Sequence, residues 1–361
     1  MLFYKKKIYS YLYIFFLILV FNFNDFSTND ALSKNFIVLN IDVEEKYDLN
    51  FDKSKVIDKG FVKAFNTLIL KILERKDQNK LKNITKSEVK YLIDNFSIIN
   101  EKFINQKYKS TIEVHFDRKK ILKFLDSKNI MSSLPKEIKL FILPVLIDAN
   151  KNELYQINQN IFFKNWINVS ENYFLINYVL PNEDIEDYLI IKKHLNNIED
   201  YNFEEIVNKY NLDNYIIMIM FKNKKKLNLY SKIKFDNKNI LLNKTFKNFN
   251  IYEEVSVNEL ILEIKNIYED KWKSINKLNT SIALPIRLSI DSKNVELSKK
   301  LENTLLNFDL VSDFKIEKFD NNEIIYKIIF NSSPQKFLEN IMLSDLKIDT
   351  SSYIWKIKWV N

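Results

Sequence analysis

The sequence predicts an α+β protein: several small α/β sandwich domains after an N-terminal signal or anchor segment, the last of them a ferredoxin-like β-α-β-β-α-β layer. Three observations carry this. Stretches of alternating apolar residues and stretches of helical spacing are interleaved along the whole chain. Hydrophobic residues make up 46% of the 361 positions and aromatic residues 14%, which is enough apolar volume for more than one core. Punctuation falls at Pro135 and at Lys277–Thr280. We therefore divide the chain into a leader (1–33), an N-terminal α+β domain (34–133), a middle α/β domain (134–277) and the ferredoxin-like domain (278–361).

The leader opens with Lys5-Lys6-Lys7 and then runs from Ile8 to Phe23 without a charge, Asp25 being the next charged residue. A basic stretch followed by an apolar one is the pattern of a secretory signal. It predicts export to the periplasm or to the periplasmic face of an inner membrane. Ala31-Leu32-Ser33 is the nearest small-residue cleavage pattern, so a cleaved signal peptide and a retained anchor both stay open.

In the first domain, Phe36–Val43 predicts a strand, and Val56–Leu73 a helix with Phe61, Phe65, Leu68, Ile69 and Ile72 on one face. Thr85 starts a second helix over Lys86–Phe96, carrying Val89, Ile93 and Phe96. A strand pair follows at Ile98–Ile104 and Tyr108–Phe116, and Asp117 caps a helix from Arg118 to Leu125. In the middle domain, strands are expected at Ile138–Ile147, Tyr173–Val179, Tyr215–Phe221 and Leu227–Phe235. Helices are expected at Ile161–Ile167, from Asp184 to about Leu195, at Phe203–Tyr210 and at Val255–Ile275. At fold level this block is similar to the amino-terminal domain of TolB, an analogy that carries no function. In the last domain, Ile282–Ile290, Phe314–Phe319, Ile324–Phe330 and a final strand with Tyr353, Trp355, Ile357 and Trp359 on one face predict a four-stranded antiparallel sheet. Leu297, Leu301, Leu305 and Phe308 mark one helix; Phe337, Leu338, Ile341 and Met342 mark the other, which starts at Ser333-Pro334.

Composition removes whole classes of chemistry. There is no cysteine, hence no disulfide, thiolate metal site or thiol nucleophile. Gly60 is the single glycine, so a phosphate-binding loop and a dinucleotide fingerprint are absent, and no cofactor or nucleotide is predicted. Gly60 lies inside a helical pattern, where close packing is the reading. The net charge is +8, but the lysines are mixed with 47 acidic residues, and only Arg75, Arg118 and Arg287 supply guanidinium groups. No nucleic-acid partner is expected from so few forked donors. The dense run Lys222, Lys224-Lys225-Lys226 reads as a hairpin turn.

Several motifs carry a resemblance. Thr111-Ile112-Glu113-Val114-His115-Phe116-Asp117, then Phe141-Ile142-Leu143-Pro144-Val145-Leu146, then Trp166 and Leu180-Pro181-Asn182-Glu183-Asp184-Ile185-Glu186-Asp187 resemble the alphaproteobacterial envelope family catalogued as domain of unknown function 2066. Tyr210-Asn211-Leu212-Asp213 and Lys271-Trp272-Lys273 extend the similarity. Glu183 stands where that family has glycine, and Asn160-Ile161-Phe162 where it has Asn-Pro-Trp. The resemblance implies an exported envelope protein and no reaction.

Among possible site residues, His115 and His194 have no motif partner and read as surface histidines. The acidic run Glu183, Asp184, Glu186, Asp187 admits two readings. Glu183, Asp184 and Asp187 are weak candidates for a Ca²⁺ site, or Asp184 is a helix cap with Glu186 and Asp187 against the dipole. Phe162, Phe163 and Trp166 read as core rather than a ligand box. No catalytic or cofactor-binding residue is assigned. The leading functional reading is a non-enzymatic scaffold, adaptor or assembly factor with envelope proteins or a membrane surface as partners. The alternative is a periplasmic hydrolase using a pair of acidic residues that the sequence does not single out.

Overall fold

The computed structural model describes residues 36–236, 238–278, 283–308 and 310–359, so the leader lies outside the described residues. The fold is α+β. Two compact units divide the described chain, Val38–Leu278 and a second from Asn279 onward.

The first unit begins with β1 (Ile37–Lys46) and α1 (Lys53–Ile72), followed by α2 (Lys86–Leu92), β2 (Ile93–Ile104), β3 (Lys107–Phe116) and α3 (Arg118–Ser127). Asp52 caps α1 by accepting from the Ser54 amide, and Thr85 and Glu88 form a capping box on α2. The strands form a three-stranded sheet in the order β1-β3-β2. Asn105 and Gln106, both with positive φ (52° and 58°), make the tight two-residue turn between β2 and β3.

Here the expected helix over Lys86–Phe96 is too long. It ends at Leu92, and Ile93 is already extended. The reason is a β-bulge between Ile93 and Asn95. Ile93 pairs with Phe116 and Phe96 with Val114, both on the buried face of β3. The extra residue thus puts two positions three apart on one strand face, which imitates helical spacing.

The same unit continues with β4 (Ile138–Asp148), β5 (Glu153–Leu154), α4 (Ile161–Asn165), β6 (Ile176–Val179), α5 (Ile185–Lys193), α6 (Glu204–Val207), β7 (Tyr215–Asn223), β8 (Lys226–Phe235), β9 (Lys238–Lys247) and α7 (Glu254–Ile275). The sheet order is β5-β4-β7-β8-β9, with β6 also paired to β4. β4 runs parallel to β6 and to β7, and β7-β8-β9 form an antiparallel meander. Both faces of β4 and β7 are covered. Leu140, Ile142, Leu146, Ile216, Met218 and Met220 pack with Ile261, Ile264 and Tyr268 of α7. Phe141, Leu143, Val145, Ile147, Ile217 and Ile219 pack with Ile191, Ile206 and Val207 on the other side. That explains their unbroken apolar runs. β9 was not expected from the sequence. It is an edge strand, and only Ile240, Leu242 and Phe246 pack, each partly, against the core.

Pro135 falls inside this unit. Ser133 donates to the Ile72 carbonyl through its amide (2.8 Å) and its hydroxyl (3.1 Å). Arg75 holds Asp270 through Nε at 2.7 Å and Glu263 through Nη1 at 2.6 Å, tying the end of α1 to α7.

The second unit contains β10 (Leu284–Asp291), α8 (Val295–Asn307), β11 (Val311–Phe319), β12 (Glu323–Phe330), α9 (Pro334–Met342), β13 (Leu346–Asp349) and β14 (Trp355–Trp359). Its first five elements follow the expected β-α-β-β-α order, with Leu297, Leu301, Leu305 and Phe308 buried. The end departs from a four-stranded antiparallel ferredoxin-like layer. The sheet has five strands in the order β11-β12-β10-β14-β13, and β14 lies parallel to β10. After α9 the chain first lays down the short edge strand β13, with Leu346 buried and Ile348 half-buried. Asp349 then accepts from the Ser351 amide at 3.0 Å, and the chain returns into the gap beside β10. Tyr353 therefore sits before the last strand and is exposed, and Met342 of α9 is exposed as well.

Candidate functional site: the exposed edge strand

β2 is an edge of its sheet and the most exposed long strand among the described residues. Of its twelve residues Ile93 is half-buried and all that follow are exposed. Phe96, Ile98, Ile99, Phe103 and Ile104 stand open to solvent, Ile99 at 59% and Phe103 at 57%. Isolated apolar residues on a surface are ordinary; a contiguous row on an unpaired strand edge is not.

The geometry follows from β3. Residues directly opposite across an antiparallel pair share a face. Phe96, Ile98, Glu101 and Phe103 face Val114, Ile112, Ser110 and Tyr108 and so lie on the side covered by α1. α1 reaches β2 only in part. Phe61 meets Phe96 edge-on at 4.9 Å, and Lys53 donates to Glu101 at 2.7 Å. Tyr47 and Tyr108 flank Phe103 at 5.0 and 5.2 Å. The other face is largely polar: Asn95, Ser97, Asn100 and Lys102 lie opposite His115, Glu113, Thr111 and Lys109, with Ile104 opposite Lys107 at its end. A second bulge, between Ile98 and Asn100, leaves Ile99 without a partner on β3. Along the outer edge, alternate backbone N–H and C=O groups point away from the sheet, where an added strand would find them.

The residues singled out from the sequence take other places. Asp184 caps α5, accepting from the Glu186 amide at 2.8 Å and from Lys209 at 3.2 Å. These two contacts hold its carboxyl below the usual range, the backbone bond foremost. Asp187 is fully buried and accepts from Lys209 at 2.6 Å. The same bond to Asp187 pushes the Lys209 ammonium well above its ordinary value. Glu183 is exposed. Asp184 and Asp187 thus form a cap and a lysine clamp, and among the described residues no group of three or more His, Asp or Glu side chains is placed to hold a metal ion. His115 bonds to Glu113 at 2.6 Å, and His194 stacks on Tyr201 at 4.1 Å. Phe162 and Trp166 are core, with Phe163 half-buried beside them. Lys224 and Lys225 form the turn between β7 and β8.

Carboxylates elsewhere are committed too. On the open face of the first sheet, Asp42 accepts from Thr111 at 2.6 Å and Glu44 is held by Lys107 and Lys109. Those lysines, Lys107 foremost, lower the Glu44 carboxyl to about 2. The carboxyl raised by burial is Glu269, pushed up to about 7, but it is 2% exposed and lies inside the core on α7. Sequence reading saw a strand only over Ile98–Ile104, because the first four residues of β2, Ile93–Phe96, imitated the end of a helix. It missed Glu269 because a buried carboxylate has the same one-letter code as a solvated one.

No family model matches the chain, and no curated protein is similar to it.

Proposed function

We propose that this protein is an exported, non-enzymatic scaffold or adaptor of the cell envelope that docks partner proteins by strand addition along β2. The observation that carries the reading is a twelve-residue edge strand that is exposed from Asp94 to Ile104 and bears five exposed apolar side chains. Another extended backbone can pair with a whole row of edge N–H and C=O groups at once, and the apolar residues of one face add burial to those bonds. The incoming strand would set apolar side chains beside Phe96, Ile98 and Phe103, and acidic or amide side chains beside Lys102 and Asn100. The basic-then-apolar leader supports export, and the resemblance to the envelope family points the same way. The hydrolase alternative needs two facing carboxylates in a cleft. Glu269 is sealed in the core, and its neighbour Asp270 is bound by Arg75, which favours the adaptor.

A photo-crosslinking residue at Ile99 of the full-length chain tests the proposal in intact envelopes. The expected result is a discrete protein adduct at Ile99 and none at the exposed control position Leu189. Phe96→Asp with Phe103→Asp should abolish it in a chain that a far-ultraviolet circular dichroism spectrum still shows to be folded, although the lost ring contacts to Phe61, Tyr47 and Tyr108 lower its melting temperature. A chain that yields no adduct at Ile99, or the same adducts at both positions, sinks the reading.

A further inference from the structure

Three buried charged residues occupy one stripe of α7. Lys265, Glu269 and Lys273 follow each other at four-residue spacing, and each is 3% exposed or less. A single face of a helix that buries a cation, an anion and a cation is an expensive arrangement, retained only where the charges have partners. The partners here are backbone groups. Lys265 Nζ donates to the carbonyls of Trp166 (2.7 Å) and Val169 (2.6 Å). Glu269 Oε1 accepts from the amides of Leu175 and Ile176, both at 2.9 Å. Lys273 donates to the Leu70 carbonyl at the end of α1.

The segment between α4 and β6 thus hangs on α7 at both of its ends. Its own backbone bonds include a 3.3 Å bond from Val169 to Asn165 and a 3.2 Å bond from Phe174 to Glu171. Rings from the segment and from β6 close over the ammonium: Trp166 and Tyr178 lie 5.0 Å from Lys265 Nζ, and Phe174 lies 5.9 Å away. Several polar atoms in this neighbourhood are left over. Glu269 Oε2, Tyr178 Oη and Trp166 Nε1 are buried without a hydrogen-bond partner. Glu269 therefore has one oxygen fully engaged and a second that is free to carry a proton without breaking the tether.

We propose that Glu269 is a proton-operated latch: with a proton on Oε2 it holds the 166–176 segment closed on α7, and loss of that proton loosens the segment and the start of β6. This goes beyond the docking role of β2 and does not depend on it. Closing the segment buries Glu269; opening it returns the carboxyl to water. Burial raises the closed-state value from 4.5 to about 7 despite the two backbone bonds and the attraction of Lys273. Since the closed state binds the proton more tightly than the open state, closure is strongest below 4.5 and is lost as pH rises through about 7.

Other charged and titratable groups surround Glu269. On α7 these are Lys265, Tyr268, Asp270 and Lys273; from the segment and β6 they are Tyr173 and Tyr178; from the turn after α1 they are Glu74 and Arg75. Asp270 is paired with Arg75, and Glu74 with Lys277 and Lys76. The tyrosines Tyr173, Tyr178 and Tyr268 are all raised above 10.0, chiefly by burial, and stay neutral through this range. Lys273 is lowered by burial too, but it is bound to α1 and not to the segment; Lys265 is lowered to about 8 by burial and works in the opposite direction. Its effect between pH 5.5 and 8 is about twofold, against about twenty-five-fold from Glu269.

Amide hydrogen exchange of Leu175 and Ile176 in the full-length chain reads the latch. After correction for intrinsic exchange, opening should rise by on the order of tenfold from pH 5.5 to pH 8. Glu269→Gln keeps an accepting oxygen and removes the titration, so its opening should be flat over the same range. Should that variant fail to fold, the carbon-13 shift of the Glu269 carboxyl in the unaltered chain gives a second reading, with a midpoint near 7 expected. A midpoint in the ordinary carboxylate range, a pH-independent opening, or a pH dependence that survives in Glu269→Gln would each overturn the proposal.

Discussion

Gly60 is the one glycine in the chain, and it sits where α1 crosses the first sheet. A Cβ added there would meet Ile112 Cδ1 at 2.5 Å, Val43 Cγ1 at 3.1 Å and Ile112 Cγ1 at 3.5 Å. Carbon atoms pack at about 3.5–4.0 Å, so Cδ1 of Ile112 must retreat by about 1 Å. It has little space for that, because Ile112 is 0% exposed and Val43 8%. Overpacking of this kind costs about 1–3 kcal/mol, while alanine in a helix interior is better than glycine by about 1 kcal/mol. Gly60→Ala should therefore destabilise the protein by about 1 kcal/mol. Ile112→Val removes the clashing Cδ1, at a cost of about 1 kcal/mol by itself. In that background the alanine keeps its helical advantage and loses most of its clash, so Gly60→Ala should be stabilising. The coupling between the two sites should be about 2 kcal/mol. Urea unfolding of the four full-length chains, followed by far-ultraviolet circular dichroism, measures all three quantities. If Gly60→Ala stabilises the unaltered chain, or has the same effect in both backgrounds, the glycine is not there to admit Ile112.

Two further outcomes are expected. Asp184→Ala should lower stability by about 1 kcal/mol by uncapping α5, and added Ca²⁺ should leave the melting temperature of the unaltered chain where it was; a Ca²⁺-dependent rise that the substitution abolishes would restore the metal reading. Truncation after Ser352 removes β14 from between β10 and β13, so the unfolding transition of the second unit should vanish while that of Val38–Leu278 remains; two transitions in the truncated chain would show that β14 is dispensable to the sheet.

The sequence alone was sufficient wherever a local physical rule had no competitor. The period of Leu297, Leu301, Leu305 and Phe308 defined α8, and the caps at Thr85, Asp117, Asp184 and Ser333 are each formed by a side chain that accepts from an amide in the first turn of its own helix. The unbroken apolar runs of β4 and β7 announced strands, and the lone glycine announced close packing. Such signals are short-range: the residues that decide the outcome are neighbours in the chain.

Tertiary structure decided the rest, because there the deciding partner lies far along the chain. The bulge that moves Phe96 onto the face of Ile93 exists only against β3. The parallel seat of β14 beside β10 depends on β13 taking the sheet edge first, and a four-residue strand is too short to declare itself by alternation. Whether Glu269 is solvated or buried is settled by residues 93 and 94 positions away, whose amides it accepts. Whether Phe96 and Phe103 are core or surface is settled by how far α1 reaches across its sheet. An apolar side chain carries the same transfer energy wherever it stands in the sequence; only the folded neighbourhood determines whether that energy has been used or is still available to a partner.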